Sequence, residues 1–396
     1  MAITITQLPK TFAPVYNDMV TVASSTNLAQ TNFSFIFQIY DAANTTLLST
    51  QRIAAEYQYG YGLLNVSRIL ESYITTDFFE NQTGDIKLNT NSFDGYTVRV
   101  GEEYDVAGTL TQFLNLANTS DFYFNGSLIH NDWIDFTIIS YELNGVTKKF
   151  LSNSPTNLKT TIDDKGYTSM YNVTVTNKVV YKTYNSAGGL IQTAEIDISA
   201  ITEKILSFPS APVSINAVTL TAGAQPVITS SVATYTVEVQ NSGSTQISEQ
   251  KTYTLDNCHR GRVHFLNDLG GFDSFNFTAA NKTKFDFKKE FYKSQPNRLG
   301  ASGTYDYART DREWIQHYTN QKQTLTLVSD WITDEESIWL RSMFSSPEIY
   351  LELDGEIKAL KGIKQNSYDV KEFQYSELFN IEVELEFSID NYRQRG

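Results

Sequence analysis

The run Cys258-His259-Arg260-Gly261-Arg262-Val263-His264-Phe265-Leu266-Asn267-Asp268-Leu269-Gly270-Gly271-Phe272-Asp273-Ser274-Phe275-Asn276-Phe277 reads as a strand, a tight turn and a second strand. Gly270 and Gly271 let the backbone turn sharply, and Val263, Phe265, Phe272, Phe275 and Phe277 flank the turn as apolar strand residues. The same run marks a change of composition. Residues 1–256 carry 13 Lys and Arg against 23 Asp and Glu, about 14% charged, whereas the last 140 residues carry 18 and 22, about 29%. A domain border near residue 256 is expected.

The whole chain has 396 residues, too many for one ordinary core, which implies two to four domains. With 24 Tyr, 24 Phe and abundant Thr, Ser and Asn, it favours strands and polar turns over helices. The expected fold is mainly β: several β-sandwich-like domains with a few short helices. The expected division is 1–108, a β domain with one short helix; 109–256, a β-sandwich-like middle region; and 257–396, a β domain with a capped helix near 333–345.

Local patterns supply these elements. From Asn32 to Tyr40, Phe33, Phe35, Phe37 and Ile39 recur at every second position, as on one face of a strand. A helix over 66–74, with Val66, Ile69, Leu70 and Tyr73 on one stripe and Asn65 as cap, is the expected cover. Tyr96 to Val100 closes this unit. In the middle region, one strand is expected from Tyr171 to Tyr184, carrying Val173, Val175, Val179 and Tyr181. It turns at 185–189 into Leu190 to Ile198. Tyr235 to Val239 and the turn 241–244 repeat the theme, and the spacing resembles an immunoglobulin-like or fibronectin-like sandwich. Pro209, Pro212 and Pro226 punctuate either a linker or a loop-rich edge.

Toward the end, Thr333 and Glu336 form a capping box, and Trp339, Leu340, Met343 and Phe344 face a core before Pro347. Ile349, Leu351 and Leu353 then alternate as a strand. In the last strand, Ile381, Val383, Leu385, Phe387 and Ile389 alternate with Glu382, Glu384, Glu386 and Ser388, giving one apolar and one acidic face.

The formal net charge is −14. On average such a surface repels phosphate backbones and anionic lipid, so nucleic acid is not an expected partner. Cys258 is the single cysteine, which rules out an intramolecular disulfide and fits a reducing place of synthesis. The start lacks a signal-peptide pattern and no run approaches the roughly 18 apolar residues of a membrane helix, so no membrane insertion is expected. Asn-x-Ser/Thr triplets such as Asn65-Val66-Ser67 then reflect composition.

Three blocks resemble virion structural proteins of tailed bacteriophages that infect Bacteroidota hosts. The first is Pro14-Val15-Tyr16-Asn17 with Asn32-Phe33-Ser34-Phe35 and the segment from Gly62 to Leu70. The second is the run 258–277. The third is Ser329-Asp330-Trp331-Ile332-Thr333 with Ser345-Ser346-Pro347 and Leu378-Phe379-Asn380. The resemblance implies a non-enzymatic structural subunit of the virion, in the tail or baseplate region, made in the host bacterial cytoplasm. Its partners would be copies of itself, in a ring of six or a trimer, and other virion structural proteins. Two rival readings are a module that binds host surface glycan through Tyr- and Trp-rich loops, and a polysaccharide-degrading enzyme.

Chemical motifs give no catalytic, cofactor-binding or metal residue. Cys258, His259 and His264 come nearest to a ligand cluster, but zinc takes four ligands at recognised spacings, and His130 and His317 are distant in sequence. Asp163-Asp164-Lys165-Gly166 lacks the ligand spacing of a calcium loop and reads as a hairpin turn. Gly300-Ala301-Ser302-Gly303, between Arg298 and Tyr305, reads as an exposed loop. Glu382, Glu384 and Glu386 read as a solvated face opposite lysines on a neighbouring strand.

Overall fold

The computed structural model describes residues 3–80, 84–144, 146–173, 177–256, 261–295, 298–299, 301–306, 308–370, 379–389 and 391–392. The protein is mainly β, with several sheets and a few short helices. It divides into two compact units, Met1–Asn257 with Leu266–Asp273, and Cys258–Phe265 with Ser274–Gly396.

In the first unit, the strand Ser34–Asp41 lies between Leu47–Ile53 and Phe93–Val106, and Thr109–Phe124 and Ala13–Pro14 complete a five-stranded sheet. Phe35, Phe37 and Ile39 are fully buried, with Val66 and Leu70 in the same apolar cluster. The expected helix is a single turn, Ser67–Leu70, followed by a 3₁₀ turn, Glu71–Tyr73. Tyr73 is exposed, because the tighter 3₁₀ winding carries it off the apolar stripe. Asn65 Oδ1 accepts from Ser67 N at 3.2 Å and Met19 N at 3.0 Å, so it ties the turn to an adjoining strand end.

Phe93–Val106 and Thr109–Phe124 are the two legs of one hairpin. The border expected at residue 108 therefore falls in its turn, where Ala107 and Gly108 adopt positive φ. The short strand Lys87–Leu88 also crosses that border, pairing with Ile205–Pro209 in the middle region.

The middle region has a five-stranded sheet in the order Asn157–Thr160, Lys251–Leu255, Thr234–Asn241, Asn177–Tyr184, Leu190–Asp197. A three-stranded sheet contains Tyr167–Tyr171, Ile205–Pro209 and Lys87–Leu88. One apolar cluster draws Val179, Tyr181, Tyr235 and Val237 from the first sheet and Met170, Leu206 and Phe208 from the second, which is sandwich packing. Fully buried Tyr181 and Tyr235 donate their hydroxyls to the carbonyls of Pro209 and Ser210, both at 2.8 Å, so burial leaves neither phenol unsatisfied.

Two expectations are overturned, and one open alternative is closed. Tyr171 to Tyr184 is not one strand but the end of one and the whole of another, in different sheets; Val173 is exposed and Val175 lies outside the described residues. Asp163–Gly166 is not a hairpin turn, since it joins strands of the two sheets. Asp164, buried, accepts from Thr160 Oγ1, Thr161 N and Thr161 Oγ1 at 2.7–2.8 Å. The proline-punctuated stretch is no linker, for Ile215, Val218, Val227 and Ile228 belong to the sandwich core.

The turn of the run 258–277 closes with Asn267 N donating to Gly271 O at 2.8 Å. The Asn267 side chain accepts from Leu269 N and Gly271 N and donates to Leu151 O at 3.0 Å. Gly270 has φ 79°, and a Cβ there would lie 1.8 Å from Asn125 O.

In the second unit, the sheet order is Phe272–Phe277, Gly261–Leu266, Ile349–Leu353, Glu356–Ile363, Glu382–Phe387, Trp314–Val328, Ala280–Lys293. The helix Asp334–Ser345 carries the expected capping box between Thr333 and Glu336. Its Trp339, Leu340 and Met343 are buried; the Trp339 ring centre lies 5.6 Å from Phe265 and 6.0 Å from Phe275, and Phe344 stacks on Tyr368. Val383 and Leu385 are fully buried on the inner face of the last long strand.

Candidate functional site

Histidines and carboxylates carry most enzyme acid–base chemistry. Cys258 and His259 lie outside the described residues. His264 sits mid-strand, its Nδ1 2.8 Å from Ser274 Oγ and its Nε2 3.3 Å from Glu352 Oε2, and Arg262 donates to Asn276 Oδ1 at 2.7 Å. These residues project from neighbouring strands as a buried polar row whose members satisfy one another, as burial requires. His130 opens an exposed helical turn, and His317 is exposed beside Tyr292. Among the described residues, no three His, Cys, Asp or Glu side chains are grouped to hold a metal ion.

On the last strand, Glu384 pairs with Lys364 at 2.8 Å, and Glu386 meets Lys322 and Lys361, both at 3.3 Å. Desolvation pushes the Glu386 carboxyl up, and the two lysines more than offset this, holding it below its usual range. Ala301, Ser302 and Gly303 are exposed, next to a two-residue strand pairing in which Leu299 faces Tyr305.

Among the described residues the most exposed strand is Ala280–Lys293, which forms an arm by pairing antiparallel along its whole length with Trp314–Val328, a strand that is exposed at Trp314 but buried at Leu325 and Leu327. Every described side chain of Ala280–Lys293 is exposed. One face of that strand carries Phe285, Phe287 and Phe291, with Trp314 joining them from the partner strand; Phe287 is 54% exposed and Trp314 61%. The other face alternates Lys284, Asp286, Lys288 and Glu290, with in-strand ion pairs of 3.0 and 3.7 Å. Residues 280–328 hold nine Lys and Arg against five Asp and Glu, a basic segment in an acidic chain. Exposed aromatics aligned on a long strand cost hydration unless a partner covers them.

A second exposed feature is the turn from Glu56 to Tyr61. Glu56 N donates to Tyr61 O and Gly60 N to Glu56 O, both at 2.8 Å, while the Glu56 carboxylate accepts from Gln58 N and Tyr59 N. This frame presents Tyr57, Tyr59 and Tyr61 to solvent, Tyr57 completely and Tyr59 at 68%. A cavity of about 10 Å³ lined by Asp77, Asn89, Tyr167, Ser169, Ser207 and Phe272 is of single-water size.

The sequence reading missed both the arm and the tyrosine turn. Their signals were present as Phe alternating with charge over 284–291 and as Tyr at every second position over 57–61. Neither matches a catalytic motif.

No family model matches the chain, and no curated protein matches it. Among solved structures, the complex of Dpr2 Ig1-Ig2 with DIP-Theta Ig1-Ig3 contains a chain 8% identical, with 83% of this chain and 94% of that one covered and a TM-score of 0.18. Salmonella alpha-2-macroglobulin reacted with methylamine is also 8% identical, with 81% of this chain covered and a TM-score of 0.19; the match spans 22% of that protein's length. Likeness at these scores does not bear on function.

Proposed function

We propose that this chain is a structural subunit of a bacteriophage virion, in the tail or baseplate region, acting by multi-copy assembly with other virion proteins. The observation that carries the reading is the arm: a long, basic β-hairpin whose strand Ala280–Lys293 has every described side chain exposed, Phe285, Phe287 and Phe291 among them. Such an element is a liability for a free monomer and an asset for a subunit that is buried on assembly. The three sequence blocks that resemble tailed-phage structural proteins support the same reading. Purified particles imaged by cryo-electron microscopy, with the chain located by a specific antibody, test it. The expected result is several symmetry-related copies; absence of the chain from washed particles overturns the proposal.

The tyrosine turn favours a second reading, a module that binds host surface glycan, because flat exposed aromatic rings stack on sugar faces. Retention on immobilised host polysaccharide, lost in the Tyr57→Ala/Tyr59→Ala double variant, is the expected outcome under that reading.

A further inference from the structure

We propose that the arm strand Ala280–Lys293 is a self-recognition edge: it pairs antiparallel with the same strand of a second copy of this chain, about a dyad at Phe287. The inference deepens the assembly reading and rests on it only for the presence of several copies. Ala280–Lys293 ends its sheet, and no strand pairs with its far edge among the described residues. The irregularity in the arm is a bulge in the other strand, where the pairing skips His317, so Ala280–Lys293 itself is unbroken over 14 residues. At the usual rise it offers an open edge of about 45 Å.

Charge order selects the register. Two identical strands pair antiparallel about an axis normal to the sheet, so opposite residues must project to the same face, and the dyad passes beside a single residue. A dyad at Asp286 sets that residue against itself and Lys284 against Lys288 of the second copy. One at Lys288 sets Lys288 against itself and Asp286 against Glu290 of the second copy. Dyads at Phe285 and Lys289 oppose Lys282 to Lys288 and Lys289 to itself. With the dyad at Phe287, Lys284 faces Glu290 and Asp286 faces Lys288, each twice by symmetry. Lys289 then lies across from Phe285, and Lys282 across from Tyr292. Among these five registers, only this one opposes no like charges, and opposite-charge cross-strand pairs stabilise where like pairs destabilise. It also brings Phe285, Phe287 and Phe291 of both copies onto one continuous face.

The competing account is protective, since lysines along an exposed edge deter pairing. Sedimentation velocity and oxidative cross-linking of the full chain separate the two. In a Cys258→Ser background, Phe287→Cys is expected to give a disulfide-linked dimer, because opposite Cα atoms in an antiparallel pair lie about 4.5–5.5 Å apart, within disulfide reach. Phe285→Cys, which does not face its own mate, is expected to stay unlinked. Lys284→Glu is expected to weaken dimerisation roughly tenfold, and adding Glu290→Lys to restore it. A chain that stays monomeric, cross-links equally well at 285 and 287, or is not rescued by the second exchange overturns the pairing. None of those results touches the virion proposal, which stands or falls on the chain's presence in particles.

Discussion

Gly270 shows how one residue joins distant parts of the chain. The glycine pair predicts a tight turn, and the turn forms, but the closer constraint is the carbonyl of Asn125, 1.8 Å from where a Cβ would stand. Sequence shows which residue can turn and not which backbone will press against it, because that neighbour comes from another hairpin. Gly270→Ala is therefore expected to destabilise the protein by more than about 2 kcal/mol, from the positive φ and the clash together; thermal denaturation checks it. Asp41 offers a second test at this scale. Its carboxylate accepts from Thr45 N and Thr46 N, with lesser help from their side chains, which holds its pKa at about 2. A carboxyl depressed below its unfolded value of about 3.9 favours folding above that pH and loses its effect as pH falls through 2. The Thr45 and Thr46 amide resonances are expected to titrate with a midpoint near 2, and not near 4.

Elements were legible where the signal was local. The helix Asp334–Ser345 is announced by its capping box and by an i, i+1, i+4 stripe, and both are realised. Trp339→Ala is expected to cost about 3–5 kcal/mol, since the ring is buried between Phe265 and Phe275. Thr333→Ala is expected to cost about 1 kcal/mol through the lost cap. Urea titration of both variants gives the comparison, and a Trp339→Ala cost no larger than the cap's would mean the face is not a core face. The last strand was readable at Val383 and Leu385, which are buried as their alternation predicts, but it ends at Phe387, and Ile389 beyond it is 76% exposed. Legibility failed for the arm, because a strand with aromatics on one face and alternating charge on the other looks half-buried, and nothing local says that the burial must come from outside. It failed again between Tyr171 and Tyr184, where alternation runs across a break between two sheets.

At the scale of the molecule, the step in charge density near residue 256 lies close to a division of the chain, but the division is crossed more than once. The path leaves the first unit at Asn257, returns for Leu266–Asp273 and leaves again. Those eight residues supply Leu269 to an apolar cluster with Phe12, Phe124 and Leu151, and Asp268 O to Ser127 N. A chain ended after Asp256 is thus expected to melt at a lower temperature than the corresponding transition of the full chain; equal melting by calorimetry would show the returning segment to be dispensable. The same path also has a meaning in time. A ribosome releases the chain from its N-terminus, so the first unit waits, with Leu151 O lacking its Asn267 donor and Ser127 N lacking its Asp268 acceptor, until residue 273 has emerged. By then the first strand of the second unit is already outside without its neighbours. At about 5–20 residues per second the delay is on the order of a second, long enough for nascent chains on one messenger to meet with an unfinished unit, and a reason for the order of synthesis itself to shape how copies of this protein first associate.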